Sequence, residues 1–169
     1  MFTLRPARVD DDAAICETWR IAGETFRAIA PAGWQPTPDE KRLATIRTRL
    51  ADPDTWWQIG ESDGEISGHV ALLPSQLVTW RPEPAADLAH LWQLFVRPAA
   101  WGSGVAVALL QAAVGRATTQ GFAQIRLFTP YEQARARRFY EREGWKEVGK
   151  PIDDGEGLPI IQYRRLLAP

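Results

Sequence analysis

Residues 91–113, LWQLFVRPAAWGSGVAVALLQAA, decide how this chain folds. The stretch reads as an apolar strand, a tight glycine turn and a long apolar helix, in that order. Within the turn, Trp101-Gly102-Ser103-Gly104-Val105-Ala106, the glycines let a ligand approach the backbone. The turn also opens directly onto the first, unpaired N–H groups of the following helix. Aligned donors at a helix start are a ready site for phosphate or pyrophosphate.

Two familiar phosphate loops fail on spacing. A Walker loop requires Gly-Lys-Ser/Thr after its first glycine, and no Lys follows this turn. A dinucleotide fingerprint requires a third Gly or Ala three residues after its second glycine and an acid further on for the ribose. Val107 occupies that third position, and no Asp or Glu occurs from Leu88 through Tyr131.

Val96-Arg97-Pro98 followed by Gly104 and Ala106 resembles motif A of the GNAT acetyltransferases, a V-x-P element leading into Q/R-x-x-G-x-G/A. Trp101 stands where that family usually has Gln or Arg, a pyrophosphate contact. The remaining contacts are main-chain donors, which survive that substitution. Downstream, Gln133-Ala134-Arg135-Ala136-Arg137-Arg138-Phe139-Tyr140 and on to Gly144-Trp145 resembles the family's N-x-x-A-x-x-F-Y-x-x-x-G-F segment, with Gln133 for Asn and Trp145 for Phe. The resemblance covers His90 to Gly149 and is weak elsewhere. It implies an α/β fold with a mixed, strongly bent sheet, acetyl-CoA as co-substrate and an N-acetyltransferase activity.

At 169 residues the chain is expected to form a single domain spanning 1–169, large enough to cover a sheet with helices on both faces. The start lacks the apolar core of a signal peptide, and no apolar run approaches membrane-spanning length, so a cytoplasmic protein without a membrane partner is the expectation. One cysteine, Cys16, excludes an intramolecular disulfide framework, and its place in a helical pattern beside Ile15 reads as core packing. His69 and His90 have no spaced Cys, His or carboxylate companions, so no metal site is expected.

A net charge of −1 gives no reason to expect a nucleic-acid partner. The distribution is uneven, with nine Lys/Arg against fourteen Asp/Glu in residues 1–87 and eleven against seven in 88–169. That asymmetry places positive potential around the glycine turn and leaves the first half for a cationic acceptor.

Periodicity along the chain yields the order β-α-α-β-β-β-α-β-α-β-β. Phe2 to Arg8 reads as a strand, Asp10-Asp11-Asp12 caps a helix to about Phe26, and Pro38 sits just inside a second helix reaching Leu50. Thr55–Glu61 and Glu65–Leu73 form a hairpin closed by Ser62-Asp63-Gly64. Asp87–Val96 and Ala123–Phe128 are strands on either side of a helix that ends near Gly121, and they are expected to be parallel and splayed. Gln133–Glu143 is a short helix, followed by strands Trp145–Gly149 and Leu158–Leu166.

Amide formation from a thioester needs a free amine, a polarised carbonyl and a protonated leaving thiolate. By the resemblance, backbone N–H groups of Leu94, Phe95 and Val96 hold the pantetheine arm and polarise the carbonyl. The turn Trp101, Gly102, Ser103, Gly104, Val105 and Ala106, with Gln133, holds the phosphates. Tyr140 matches the family tyrosine near the sulfur and is the candidate general acid. His90 stands near the family's general-base Glu and is the candidate base, since imidazole titrates near neutrality; Glu24, Asp87 and bulk water are its alternatives. Arg135, Arg137, Arg138 and Arg142 read as a solvated basic face that can also reach phosphates. Glu24, Trp34 and Trp92 are the candidate acceptor contacts, the tryptophans suited to a bulky or cationic amine.

The acceptor is expected to be a small-molecule amine rather than a protein, transfer is direct without an acyl-enzyme, and pairing of the C-terminal strands into a homodimer is open to such a fold. A catalytically inactive acyl-CoA-binding or regulatory module is the competing reading.

Overall fold

Asp63 and Gly64 both adopt positive φ, 53° and 79°, which matches the twist of a two-residue hairpin turn and fixes the register on either side. The hairpin joins β2 (Trp56–Ser62) to β3 (Glu65–Pro74). In this computed structural model, which describes residues 1–168, the other elements are β1 (Phe2–Pro6), α1 (Asp12–Gly23), α2 (Asp39–Ala51), β4 (Leu88–Val96), α3 (Val105–Thr119), β5 (Gln124–Pro130), α4 (Ala134–Arg142), β6 (Lys146–Asp153) and β7 (Pro159–Leu166). Their succession is the one the periodicity predicts. No helix among the described residues is long and apolar enough to cross a membrane.

All seven strands join one sheet in the order β1-β2-β3-β4-β5-β7-β6. Every neighbouring pair is antiparallel except β4 and β5, which run parallel and pair only from Leu88 to His90 against Gln124 to Arg126. A bulge explains why the pairing stops. Ala71 faces Gln93 and Leu72 faces Leu91, so Trp92 is an extra residue in β4, and the strand bends away from β5 at that point. Beyond it, β4 is paired on the β3 side alone.

Helix α3 covers one face, burying Val105, Leu109, Leu110, Ala113 and Ala117 against Val70, Leu72, Leu91, Ile125 and Leu127. Helices α1 and α2 cover the other, with Ile15 and Ile46 packed on Trp57, Ile59 and Ala71. Two glycines set how closely α3 seats. Gly60 and Gly68 are directly opposed in β2 and β3, and a Cβ on Gly60 would lie 2.5 Å from Val105 Cγ2, one on Gly68 2.9 Å from Val96 Cγ2. The first residue of α3 therefore rests on bare backbone, which pins the glycine turn to the sheet.

Several boundaries differ from the sequence reading: β1 ends at Pro6, short of Arg8, and β5 runs on past Phe128 to Pro130. Helix α1 ends at Gly23 and continues as a 3-10 segment, Glu24–Ala28, in place of an α-helix to Phe26. Pro38 is the residue before α2, not its first turn. Strand β6 extends past Gly149 to Asp153, because Gly149, with φ 76°, and Pro151 form a bulge and pairing with β7 resumes at Ile152. The glycine and proline mark an irregularity within the strand, not its end.

Candidate active site

Gly102 and Gly104 both hold left-handed backbone, with φ of 83° and 91°. That conformation is strained for any residue with a Cβ. The two turns direct the main chain so that the amides of Gly102, Gly104, Ala106 and Val107 have no hydrogen-bond partner among the described residues, while Val105 N–H reaches only Ser103 Oγ at 3.4 Å. Nothing lies within 4 Å of where a Gly102 Cβ would stand. Unpaired donors, open space and a helix N-terminus together fit a diphosphate.

The parting of β4 from β5 adjoins this turn. From Leu91 to Val96 the β5-facing edge of β4 has no strand partner, and a cavity of about 640 Å³ follows the gap. Its walls include Leu94, Phe95 and Val96 on β4, Trp101, Gly102 and Ala106 at the turn, Gln133 and Tyr140 on the far side, and His90, Trp34 and Trp92 at the other end. The structure thus gathers most of the expected site residues around one space. Ser103, Gly104 and Val105 shape the turn without lining the cavity, Val105 being fully buried on Gly60.

Tyr140 is held by aromatic packing, with ring centroids 5.2 Å from Phe139, 6.1 Å from Trp145 and 5.9 Å from Tyr163. Its hydroxyl makes no hydrogen bond to another described residue, and burial pushes its pKa up, so the phenol keeps its proton at neutral pH. Gln133 is the residue before α4 and lines the same cavity.

Trp101, the departure from the family pattern, has two structural tasks. Its indole N–H donates to the Val96 carbonyl at 3.1 Å, and the Arg135 guanidinium lies 4.2 Å from the ring centroid. The tryptophan ties the turn to the end of β4 and supports a cation beside it, where the family usually has a polar side chain. Arg138 also lines the cavity, while Arg137 is taken up by Tyr163, the Tyr131 carbonyl and Glu147.

On the α1/α2 side the floor is aromatic. Trp19 stacks on Phe95 with centroids 5.9 Å apart and meets Trp92 edge-on at 6.2 Å, and Phe26 tilts against Phe95 at 6.3 Å. Glu24 is not part of it: the 3-10 segment turns Gly23, Thr25 and Phe26 inward and Glu24 outward, paired with Arg27 at 2.5 Å. Asp87 does not line the cavity either. Cys16 is packed in the second core with its thiol pushed up by burial.

His90 lines the cavity but is not disposed as the expected base. Arg126 Nε donates to its Nδ1 at 3.2 Å, so in the neutral ring the proton sits on Nε2 and that atom is a donor. Burial, and the charges of Arg126, Arg81 and Arg49, hold its pKa well below the ordinary histidine value. His69 is likewise neutral, fully buried with a pKa of about 4, its Nε2 2.9 Å from Gln93 Oε1. No group of three His, Cys, Asp or Glu among the described residues is placed to hold a metal.

Sequence reasoning missed the charged residues of this end, Arg42, Arg81 and Asp154, and Arg126 behind them. They come from α2, the loop before β4, the β6–β7 loop and β5. Only Arg126 left a signal, a lone charge between Ile125 and Leu127 in an apolar strand. The lining at this end is mixed in charge, Arg42 and Arg81 beside Asp154 and Glu156, where the charge distribution led to the expectation of a cationic acceptor.

A sheet parted between two parallel strands, with a glycine turn and helix N-terminus at the parting, defines the fold class of the acyl-CoA N-acyltransferases. The pattern of the Acetyltransferase (GNAT) family matches residues 17–145, and the chain belongs to that family. It is similar to the mycothiol acetyltransferase of Beutenbergia cavernae, 26% identical over 157 residues that cover 82% of this chain, and it spans 50% of that protein's length. An uncharacterized N-acetyltransferase of Bacillus subtilis, YhfO, is 28% identical over 144 residues, covering 85% of this chain and 89% of that one. Among solved structures, the PaiA N-acetyltransferase from Thermoplasma acidophilum in complex with coenzyme A superposes with a TM-score of 0.74 over 98% of this chain and 99% of that one, at 17% identity.

Proposed function

We propose that the protein transfers an acetyl group from acetyl-CoA to the primary amine of a small molecule by direct attack. The observation that carries this is the continuity of one cavity from the unpaired amides of the glycine turn, along the free edge of β4, to the Tyr140 ring. Acetyl-CoA supplies the activated acyl group. The amides of Gly102, Gly104, Ala106 and Val107 would hold its diphosphate, with Arg135 beside them, and the β4 edge at Leu94 to Val96 would bond the arm and polarise the carbonyl.

The amine nitrogen forms a bond to the carbonyl carbon, the carbon–sulfur bond breaks, and Tyr140 gives its proton to the departing sulfur. The amine's surplus proton passes to cavity water and restores the tyrosine. His90 donates from Nε2 instead of accepting. Small-molecule acceptors are favoured because loop-to-loop contacts wall the acceptor end: Lys41 and Thr37 bond Glu156 at 3.0 and 3.3 Å, and Arg81 bonds the Asp154 carbonyl at 3.1 Å.

The lack of a placed base favours the second reading, an inactive acyl-CoA-binding module. Release of free thiol from acetyl-CoA across a panel of amines separates the two. Acceptor-dependent release supports the enzyme, and cofactor binding without it supports the module.

A further inference from the structure

Several buried hydrogen-bond donors at the acceptor end lack partners. Trp34 Nε1, Arg42 Nε and Gln93 Nε2, all on residues lining the cavity, have no partner, nor does Arg126 Nη2 just behind it. Each is a donor that water has left and no protein oxygen has replaced, a costly arrangement unless a ligand completes it.

Charge points the same way. Arg81 and Arg126 each lie 5.5 Å from the Phe128 centroid, and His90 lies 6.0 Å from the same ring. Neither arginine forms an ion pair with a carboxylate among the described residues. Arg81 Nη1 meets the carbonyls of Trp80 and Asp154, and Arg126 Nη1 those of Pro82 and Glu83. Carbonyls satisfy hydrogen bonds but leave the positive charge uncompensated. Burial lowers the pKa of both, Arg126 to about 10, and outweighs the more distant carboxylates, Asp154 and Asp153 near Arg81 and Glu83 near Arg126, that raise it. The acids at the rim are engaged elsewhere: Asp154 Oδ1 accepts the amides of Glu156 and Leu158, and Glu156 pairs with Lys41.

We infer that the acceptor amine also carries a carboxylate, bound by Arg81 and the Nε2–H of His90 over Phe128, with an apolar or aromatic body lying against Trp19, Trp92 and Phe95. An amino-acid-like zwitterion fits this description and a polyamine does not. The inference rests on the reading of the cavity as an acetyl-transfer site.

Coenzyme A is first titrated into wild type, R81Q and R81K by calorimetry. Equal heats show that the variants fold, and no heat with wild type overturns the acetyl-transfer reading and this inference with it. With the cofactor loaded, 3-phenylpropanoate and its neutral amide are then titrated, and kcat/KM is compared for phenylalanine against phenethylamine and tryptophan against tryptamine. The carboxylate member of each pair should be favoured about 10- to 100-fold in wild type, the scale of a charge-assisted pair. That preference should vanish in R81Q and partly persist in R81K. Equal or stronger binding or turnover of the amines, a preference untouched in R81Q, or no detectable binding of the carboxylate would overturn the inference while leaving cofactor binding intact.

Discussion

The two ends of the cavity are built by different means. At the end proposed to hold the cofactor, the free groups belong to the main chain of one continuous segment, β4, the glycine turn and the start of α3. At the acceptor end they are side chains delivered by α1, α2, β4, β5 and two loops, and held by contacts such as Arg126 to His90 that span 36 residues of sequence. The first construction places its donors on the main chain, with Trp101 beside them, and the second places them on side chains.

If that division is right, the largest single effect belongs to the residue where the ends meet. Tyr140→Phe should lower kcat by about 100-fold or more, the scale of a general acid, and leave coenzyme A affinity within about threefold, since the ring packing persists. An unchanged kcat removes Tyr140 from the chemistry and assigns it to the core it already stabilises.

Backbone dependence at the cofactor end is exposed by Gly104→Val. The left-handed φ of 91° is strained for a β-branched residue, and the turn must rearrange. Coenzyme A affinity should fall by roughly tenfold or more. Trp101→Ala, by contrast, removes a cation–π contact and one hydrogen bond but no amide donor, and should weaken binding only about 3- to 10-fold. If Trp101→Ala is the worse of the two, side chains carry the diphosphate site and the contrast between the ends is lost.

This contrast also explains what could be read in the sequence. The glycine turn, the hairpin at Asp63-Gly64 and the F-Y segment are local: each needs a conformation or a spacing that a short window displays. The parallel pairing and splay of β4 and β5 could be expected once the helix between them was seen, although the bulge at Trp92 that produces the splay leaves no mark, because Trp92 continues an apolar run. His90 was visible and its role was not. What makes it a donor is the Nε–H of Arg126 from a neighbouring strand, and strand neighbours are not encoded in spacing. Glu24 faces away from the cavity because it lies two residues, roughly 200° of helix, from the inward-facing Ala22.

Stability should respond to acid on the α1/α2 side. His69 has a folded pKa of about 4 against an ordinary value of 6.5, so the unfolded chain binds the extra proton first as pH falls. Its contribution is complete above pH 6.5 and is lost between there and pH 4, by up to about 3 kcal/mol. Wild type should lose Tm over that interval, and His69→Gln should lose less of it. Parallel slopes for the two proteins would mean that His69 is not buried neutral.

The smallest change is expected from His90→Gln in the pH–rate profile. With its pKa held well below the ordinary histidine value, His90 adds no titration near neutrality, so the variant should keep the wild-type shape there at a reduced rate. Loss of a limb near neutrality would restore His90 as the base.

The account stands on the glycine-turn amides clasping a diphosphate, and calorimetric titration of coenzyme A beside pantetheine, which lacks that group, examines it directly. Coenzyme A should bind at least about 100-fold more tightly than pantetheine, with most of that ratio retained in Trp101→Ala. Equal affinity for the two, or no heat with coenzyme A, would contradict it.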